Sequence, residues 1–209
     1  MKALAVFAHP RRDSLTGAIL DSFAAGLAEA GHELELDDLY REGQEWRLQP
    51  EDYAQFAGGP IPEAVRREQA RVDRAEALAF VFPVWWWSFP AVLKGWIDRV
   101  FSEGWAYNFT PGLSRGRLAD RPTLLLGVAG SRESTYRKYG YDEAMLAQID
   151  VGILGYCGLL DVETRIFYDV EQQPELRQRY LAEAREIGRR FLSPERKRRV
   201  AMLGSERSA

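Results

Sequence analysis

Ala77-Leu78-Ala79-Phe80-Val81-Phe82-Pro83-Val84-Trp85-Trp86-Trp87-Ser88-Phe89-Pro90-Ala91-Val92-Leu93-Lys94-Gly95-Trp96-Ile97-Asp98-Arg99-Val100-Phe101 contains a strand, a loop and a helix in succession. Residues 77–82 are apolar without alternation, the pattern of a parallel strand buried on both faces. Pro83 has no N–H to donate and stops the ladder. Ser88 is placed to cap a helix, and Pro90 sits where a first-turn proline is tolerated. Beyond them Phe89, Val92, Leu93, Trp96, Ile97, Val100 and Phe101 recur at spacings of three and four, which makes one apolar helix face. Trp85, Trp86 and Trp87 thus fall at the carboxyl end of a buried strand, and four of the chain's six tryptophans lie in this stretch. In an open α/β sheet ligands bind at that edge. Packing alone could use one or two of the indoles, in the core or in an oligomer contact. The reading favoured is mixed: one indole packs inward and the others border a flat, conjugated ligand.

The same alternation runs outward in both directions. Ala3–Ala8 reads as a buried first strand, followed by a polar loop and a helix in which Leu15, Ile19, Phe23 and Leu27 are spaced by four. Gly31 ends that helix. Glu33–Leu39 alternates and suits a second strand nearer the edge. Residues 40–62 carry three glycines and three prolines and read as a long connection, of the kind that is often functional or mobile. A polar helix over 62–74 leads into the quoted strand. After residue 102 come an aromatic loop at 104–121, a strand over 122–129, a helix over 143–155, a strand over 159–168 and a helix over 174–191. Alternating strands and helices imply a parallel sheet covered on both faces. Five such units in a chain of this length suit a flavodoxin-like α/β three-layer sandwich, with a five-stranded parallel sheet in the order 2-1-3-4-5. Residues 1–192 form a single domain on this reading, and 193–209 a charged tail.

Composition narrows the function. The 209 residues are 46% apolar and 28% charged with a net charge of −3. A nucleic-acid binder would normally show a basic excess. One cysteine, Cys157, rules out an intramolecular disulfide and fits a reducing, cytoplasmic compartment. Its apolar neighbours make it a structural thiol. With only His9 and His32, a zinc site is not expected. No run of about 18 apolar residues exists to span a membrane.

The ligand is expected where the loops after strands one, three and four converge. The first, His9–Thr16, opens a helix whose free N–H groups and partial positive charge attract phosphate. Ser14 and Thr16 could add hydroxyl donors and His9 an N–H, although Ser14 could equally be a plain N-cap and His9 a surface imidazole. No Gly-x-Gly-x-x-Gly is present, which argues against a dinucleotide turn. The second loop is the triple Trp. The third, Gly127–Tyr136, has small residues that let backbone approach a ligand, and Tyr136 offers a hydroxyl. Trp105, Tyr107 and Phe109 form an aromatic cluster suited to a pocket wall or to dimer packing.

Three motifs in this order, Ala8-His9-Pro10 with Ser14-Leu15-Thr16, the segment Phe82–Phe101, and Gly130-Ser131 followed by Tyr136, closely resemble the NAD(P)H:quinone oxidoreductases of the flavodoxin-like fold. The middle motif, Phe-Pro-x-x-Trp-x-x-x-Pro-Ala-x-Leu-Lys-Gly-Trp-x-x-Arg-Val-Phe, is long and specific. The resemblance implies a flavin enzyme that takes a hydride from NAD(P)H and passes two electrons to a quinone-like acceptor in ping-pong fashion, as a homodimer with sites at the interface. It implies that His9, Ser14, Leu15 and Thr16 hold the flavin phosphate. Pro83, Val84, Trp85, Trp86 and Trp87 would hold the edge of the ring, partly through backbone N–H groups. Gly130, Ser131 and Tyr136 would flank its other side, with Tyr136 as a catalytic hydroxyl. Trp87, Tyr107 and Phe109 would border the acceptor, the latter two at the partner subunit's flavin. The family's quinone reductases place a histidine six positions after the tyrosine, and here that position is Asp142. Both FMN and FAD are compatible with the resemblance. So is a second role, shared by bacterial relatives, as a flavin-bearing regulatory subunit of a membrane potassium-efflux transporter.

Overall fold

The computed structural model describes residues 1–41, 45–56, 58–109, 115–170 and 175–194. Most of the expected tail, 195–209, lies outside them, as does Pro174 at the expected start of the last helix. The elements run β1 (Lys2–Phe7), α1 (Leu15–Glu29), β2 (Glu33–Asp38), α2 (Asp52–Phe56), α3 (Glu63–Arg74), β3 (Ala77–Pro83) and α4 (Ala91–Val100). A two-stranded hairpin, β4 (Tyr107–Asn108) with β5 (Arg115–Gly116), precedes β6 (Thr123–Val128). Then come α5 (Glu133–Tyr139), α6 (Tyr141–Met145), a π-helical run (Leu146–Gly155), β7 (Val162–Phe167) and α7 (Leu176–Arg190).

The main sheet is parallel throughout, in the order β2-β1-β3-β6-β7. With the small hairpin set aside, this is the expected 2-1-3-4-5. β3 is buried at every position, as its unbroken apolar run requires of a central strand. Alternate residues face opposite layers. Leu4, Val6, Leu78, Phe80, Phe82 and Leu125 pack with Val72, Leu93, Trp96, Ile149 and Leu154 from α3, α4 and the π-helical run. Ala3, Ala5, Phe7, Ala79, Val81, Leu124 and Leu126 pack with Ile19, Phe23, Leu27, Ala184 and Ile187 from α1 and α7. On that face the two helices approach so closely that a Cβ at Gly26 would collide with the Arg185 carbonyl, and one at Gly188 with the Phe23 carbonyl.

Three local expectations are corrected. The loop after β6 is short, because Glu133 already begins α5, and Tyr136 sits on that helix. The single helix expected over 143–155 is divided: Gly140, at φ 68°, ends α5, α6 follows, and from Leu146 the backbone continues as π-helix with i→i+5 bonds. The described part of the 40–62 connection carries α2 and is tied to the core at Glu45 and Asp52. Buried Arg99 bonds both Asp52 carboxylate oxygens, at 2.8 and 3.0 Å, and also the Glu45 carbonyl.

Candidate active site at the carboxyl edge of the sheet

β1, β3 and β6 end side by side, and the loops that leave them enclose one cavity of about 570 Å³. His9, Ser14, Leu15, Thr16, Pro83, Val84, Trp85, Trp86, Trp87, Gly130, Ser131 and Tyr136 all line it, together with Val128 and Val170. Every residue expected around a flavin is therefore in one place. Val170 follows β7 and carried no signal in the sequence, being a lone apolar residue in a polar turn.

The floor at α1 follows from its cap. The Ser14 side chain accepts from the Gly17 N–H at 3.1 Å, and the Ser14 carbonyl accepts from Ala18. The amides of Leu15 and Thr16 remain as first-turn donors that the helix itself does not use. They carry the partial positive charge of a 15-residue helix. The His9 Nδ1 lies 3.0 Å from the Arg11 N–H. The same nitrogen lies 2.9 Å from the Arg11 carbonyl.

The triple Trp forms a tight reverse turn. The Val84 N–H donates to the Val128 carbonyl at 2.8 Å, which ties the end of β3 to the end of β6. The Trp85 N–H then donates to Ser88 at 3.3 Å, and the Ser88 N–H back to Trp85 at 3.1 Å. The two residues between, Trp86 and Trp87, both have positive φ, 50° and 54°. That is the backbone of a two-residue hairpin loop normally built from Asn-Gly. Ser88 is consequently not the N-cap it resembles in sequence. Pro90 occupies the cap position of α4, and the Ser88 hydroxyl instead donates to Gln148 Oε1 at 2.9 Å. The three indoles differ in burial. Trp87 is half-buried and stacks on Tyr141, with ring centroids 4.1 Å apart at 28°. Trp85 is 42% exposed and Trp86 87%.

Tyr136 closes the third side. It is 3% exposed and packs edge-on against Tyr168 and Tyr141. Burial, reinforced by Tyr168, pushes its hydroxyl up to about 12. Asp142 is not part of this cavity. It lines the adjoining one, of about 640 Å³ against β7, where its charge adds to the burial that holds Tyr168 at about 12. Tyr107 and Phe109 also lie elsewhere in the same chain. They border a groove of about 520 Å³ with Ile97, Phe101, Ile153 and Tyr156. Cys157 lines that groove as a buried thiol raised by burial to about 11. Among the described residues no group of three or more metal-ligating side chains is assembled, and no helix is long and apolar enough to cross a membrane.

A doubly wound parallel sheet with its cavity at this edge defines the class, and the chain belongs to the family with the flavodoxin-like fold, whose model matches residues 1–190. Within that family it is similar to proteins of known name. An uncharacterized NAD(P)H oxidoreductase of Haemophilus influenzae is 33% identical over 171 residues, covering 81% of this chain and 85% of that protein. The rat NAD(P)H dehydrogenase [quinone] 1 is 28% identical over 193 residues, covering 83% and 70%. Among solved structures, the NAD(P)H:quinone oxidoreductase of Methanothermobacter marburgensis superposes with a TM-score of 0.83 at 37% identity, covering 90% of this chain and 98% of that one.

Proposed function

We propose that this chain is an NAD(P)H-dependent flavin oxidoreductase that makes two-electron reductions of quinones or similar acceptors. One observation carries the reading: a single cavity joins a helix start whose Leu15 and Thr16 amides the helix does not use to a hairpin that exposes Trp85 and Trp86. Phosphate needs the first and an isoalloxazine ring the second, so the residues fit a flavin at both ends. The cavity accounts for the phosphate and ring that FMN and FAD share. The relatives, named as oxidoreductases and quinone dehydrogenases, favour an enzyme over a transporter subunit.

When bound, the flavin would supply the hydride chemistry between nicotinamide and acceptor. The protein's share is binding, orientation and shielding. Leu15 and Thr16 amides, the Ser14 and Thr16 hydroxyls and His9 would hold the phosphate. Because the Val84 and Trp85 amides are already engaged, donors from the hairpin to the ring edge come from Trp86 and Trp87. Gly130 and Ser131 would face the ring from the β6 side. Tyr136 keeps its proton throughout the neutral range and would present a hydrogen-bond donor to charge developing on the ring. Trp87 with Tyr107 and Phe109 would border the acceptor, the last two across a homodimer interface. The single buried thiol fits a cytoplasmic setting.

Purified protein should carry, or take up, a yellow chromophore that acid release and mass analysis assign to FMN or FAD. It should oxidise NAD(P)H with a quinone as acceptor. A colourless protein that neither flavin reconstitutes overturns the reading. Tyr136→Phe should retain flavin and lower kcat by roughly ten- to hundredfold, the range for losing one hydrogen bond to a charged group; unchanged kcat removes the tyrosine from its role.

A further inference from the structure

Left-handed backbone is unfavourable for bulky side chains, and Trp86 and Trp87 hold it at consecutive positions. Such a conformation persists only where its surroundings over-determine it. The hairpin's own bonds join Trp85 to Ser88 and close the backbone around the intervening pair, and side-chain contacts from outside the hairpin add to that restraint. Those on Trp87 and Ser88 include two from one segment. Tyr141, the first residue of α6, stacks on Trp87. Gln148, in the π-helical run seven residues on, accepts the hydrogen bond of the Ser88 hydroxyl. Consecutive residues of the hairpin are therefore gripped by two side chains of the same segment, one through a ring face and one through an amide oxygen. Neither Tyr141 nor Gln148 lines the cavity.

We propose that Tyr141 and Gln148 are positioning residues, a clamp that holds the Trp86–Trp87 hairpin in its ligand-binding form. The ligand rests on the flavin reading above, whereas the clamp itself does not. Tyr141 also meets Tyr136 edge-on, at 6.0 Å and 85°, so the same ring sets the spacing between the two walls of the cavity. The chemistry of each grip predicts its own rescue. At 148 only an acceptor is needed, so Gln148→Glu keeps the bond and Gln148→Ala loses it. At 141 only a ring is needed, so Tyr141→Phe keeps the stack and Tyr141→Ala loses it.

Two readouts test this on the full chain. The Trp86 and Trp87 rings lie 5.9 Å apart at 68°, and should give a coupled near-ultraviolet circular dichroism signal in flavin-free protein. That signal should weaken in Gln148→Ala and Tyr141→Ala and persist in Gln148→Glu and Tyr141→Phe. Titration with FMN and with FAD should show Kd raised about fivefold in Gln148→Ala and about tenfold in Tyr141→Ala, as expected for one hydrogen bond and one aromatic pair. Gln148 is exposed, so its alanine variant should keep the wild-type Tm and decide the matter if Tyr141→Ala does not fold. Alanine variants with wild-type dichroism and Kd, or rescue variants as impaired as the alanines, overturn the clamp. If wild-type protein binds neither flavin, the functional reading falls and the dichroism still decides the clamp.

Discussion

Trp86 shows how one residue can oppose fold and site. Its indole is 87% exposed and its backbone left-handed. The side chain therefore adds little to the core, while the backbone costs about 1–3 kcal/mol. Trp86→Gly removes the strain and the ring together. It should leave stability unchanged or raise it by up to about 1 kcal/mol, allowing for glycine's added freedom in the unfolded chain, and flavin affinity should fall at least tenfold. Loss of stability in urea titration would show that the indole packs more than its exposure indicates. Glu68 is the opposite case, a buried charge site away from the cavity. Burial first, then its hydrogen bond to Asp37, raise its carboxyl to about 7. Arg71 Nη1 lies 2.7 Å from Asp37 and 3.2 Å from Glu68, while Nε bonds Glu35, which also pairs with Lys2. One arginine thus faces three acids, and a proton held by Glu68 offsets the excess. Below the ordinary value of 4.5 the proton is bound in folded and unfolded chains alike. Between there and about 7 only the unfolded chain loses it, so stability falls as pH rises. Glu68→Gln should flatten that slope, with a gain on the order of 2 kcal/mol near pH 8; denaturation midpoints across pH 5–8 check it.

Elements are where expectation and structure part, and the physical reasons differ. β3 was legible because burial on both faces leaves no room for polar residues in Ala77–Phe82. α1 was legible through its four-residue spacing and the glycine after it. α5 was not, since in Glu-Ser-Thr-Tyr-Arg-Lys-Tyr only Tyr136 is buried, too little for an apolar face. The π-helical run has a wider period than the 3.6 residues that reveal a helix. Ser88 stood where a cap would stand, and only the left-handed pair before it moved the start of α4 to Ala91. The candidate site was far more legible than these elements. It is built from strand ends and loop residues of unusual type, and all twelve residues expected around the cofactor line the cavity, whereas Tyr107 and Phe109 border a separate groove. The 40–62 connection was least legible, because Asp52 and Arg99 are 47 residues apart and neither signals a buried ion pair. Arg99 also stacks over Trp46, 5.8 Å from the ring centroid. Asp52→Ala leaves a buried guanidinium without its carboxylate, a change that costs about 3–5 kcal/mol. The connection should then become a site of early proteolysis; a variant as stable and resistant as wild type would mean that Arg99 finds another partner.

At the scale of the molecule, one chain supplies the whole cavity proposed for a flavin but, on the same proposal, only part of an acceptor site. Tyr107 and Phe109 lie in their own groove beside the π-helical run, and Phe109 there is 60% exposed, as is Val151 on the same run. Open aromatic and aliphatic surface here suits the homodimer contact of the proposed function. A second copy would cover it and bring the two aromatics against the partner subunit's flavin, as the proposed function requires. Binding and turnover should therefore separate. Phe109→Asp places a charge in the proposed contact without altering any of the fourteen residues that line the cavity. It should sediment as a monomer at concentrations where wild type sediments as a dimer, and should bind FMN or FAD with unchanged Kd. Its quinone turnover should fall by two orders of magnitude or more, since orientation of the acceptor is lost. Flavin-loaded monomers of Phe109→Asp that turn over at the wild-type rate would confine the acceptor site to a single chain and move it to the Trp86–Trp87 hairpin alone.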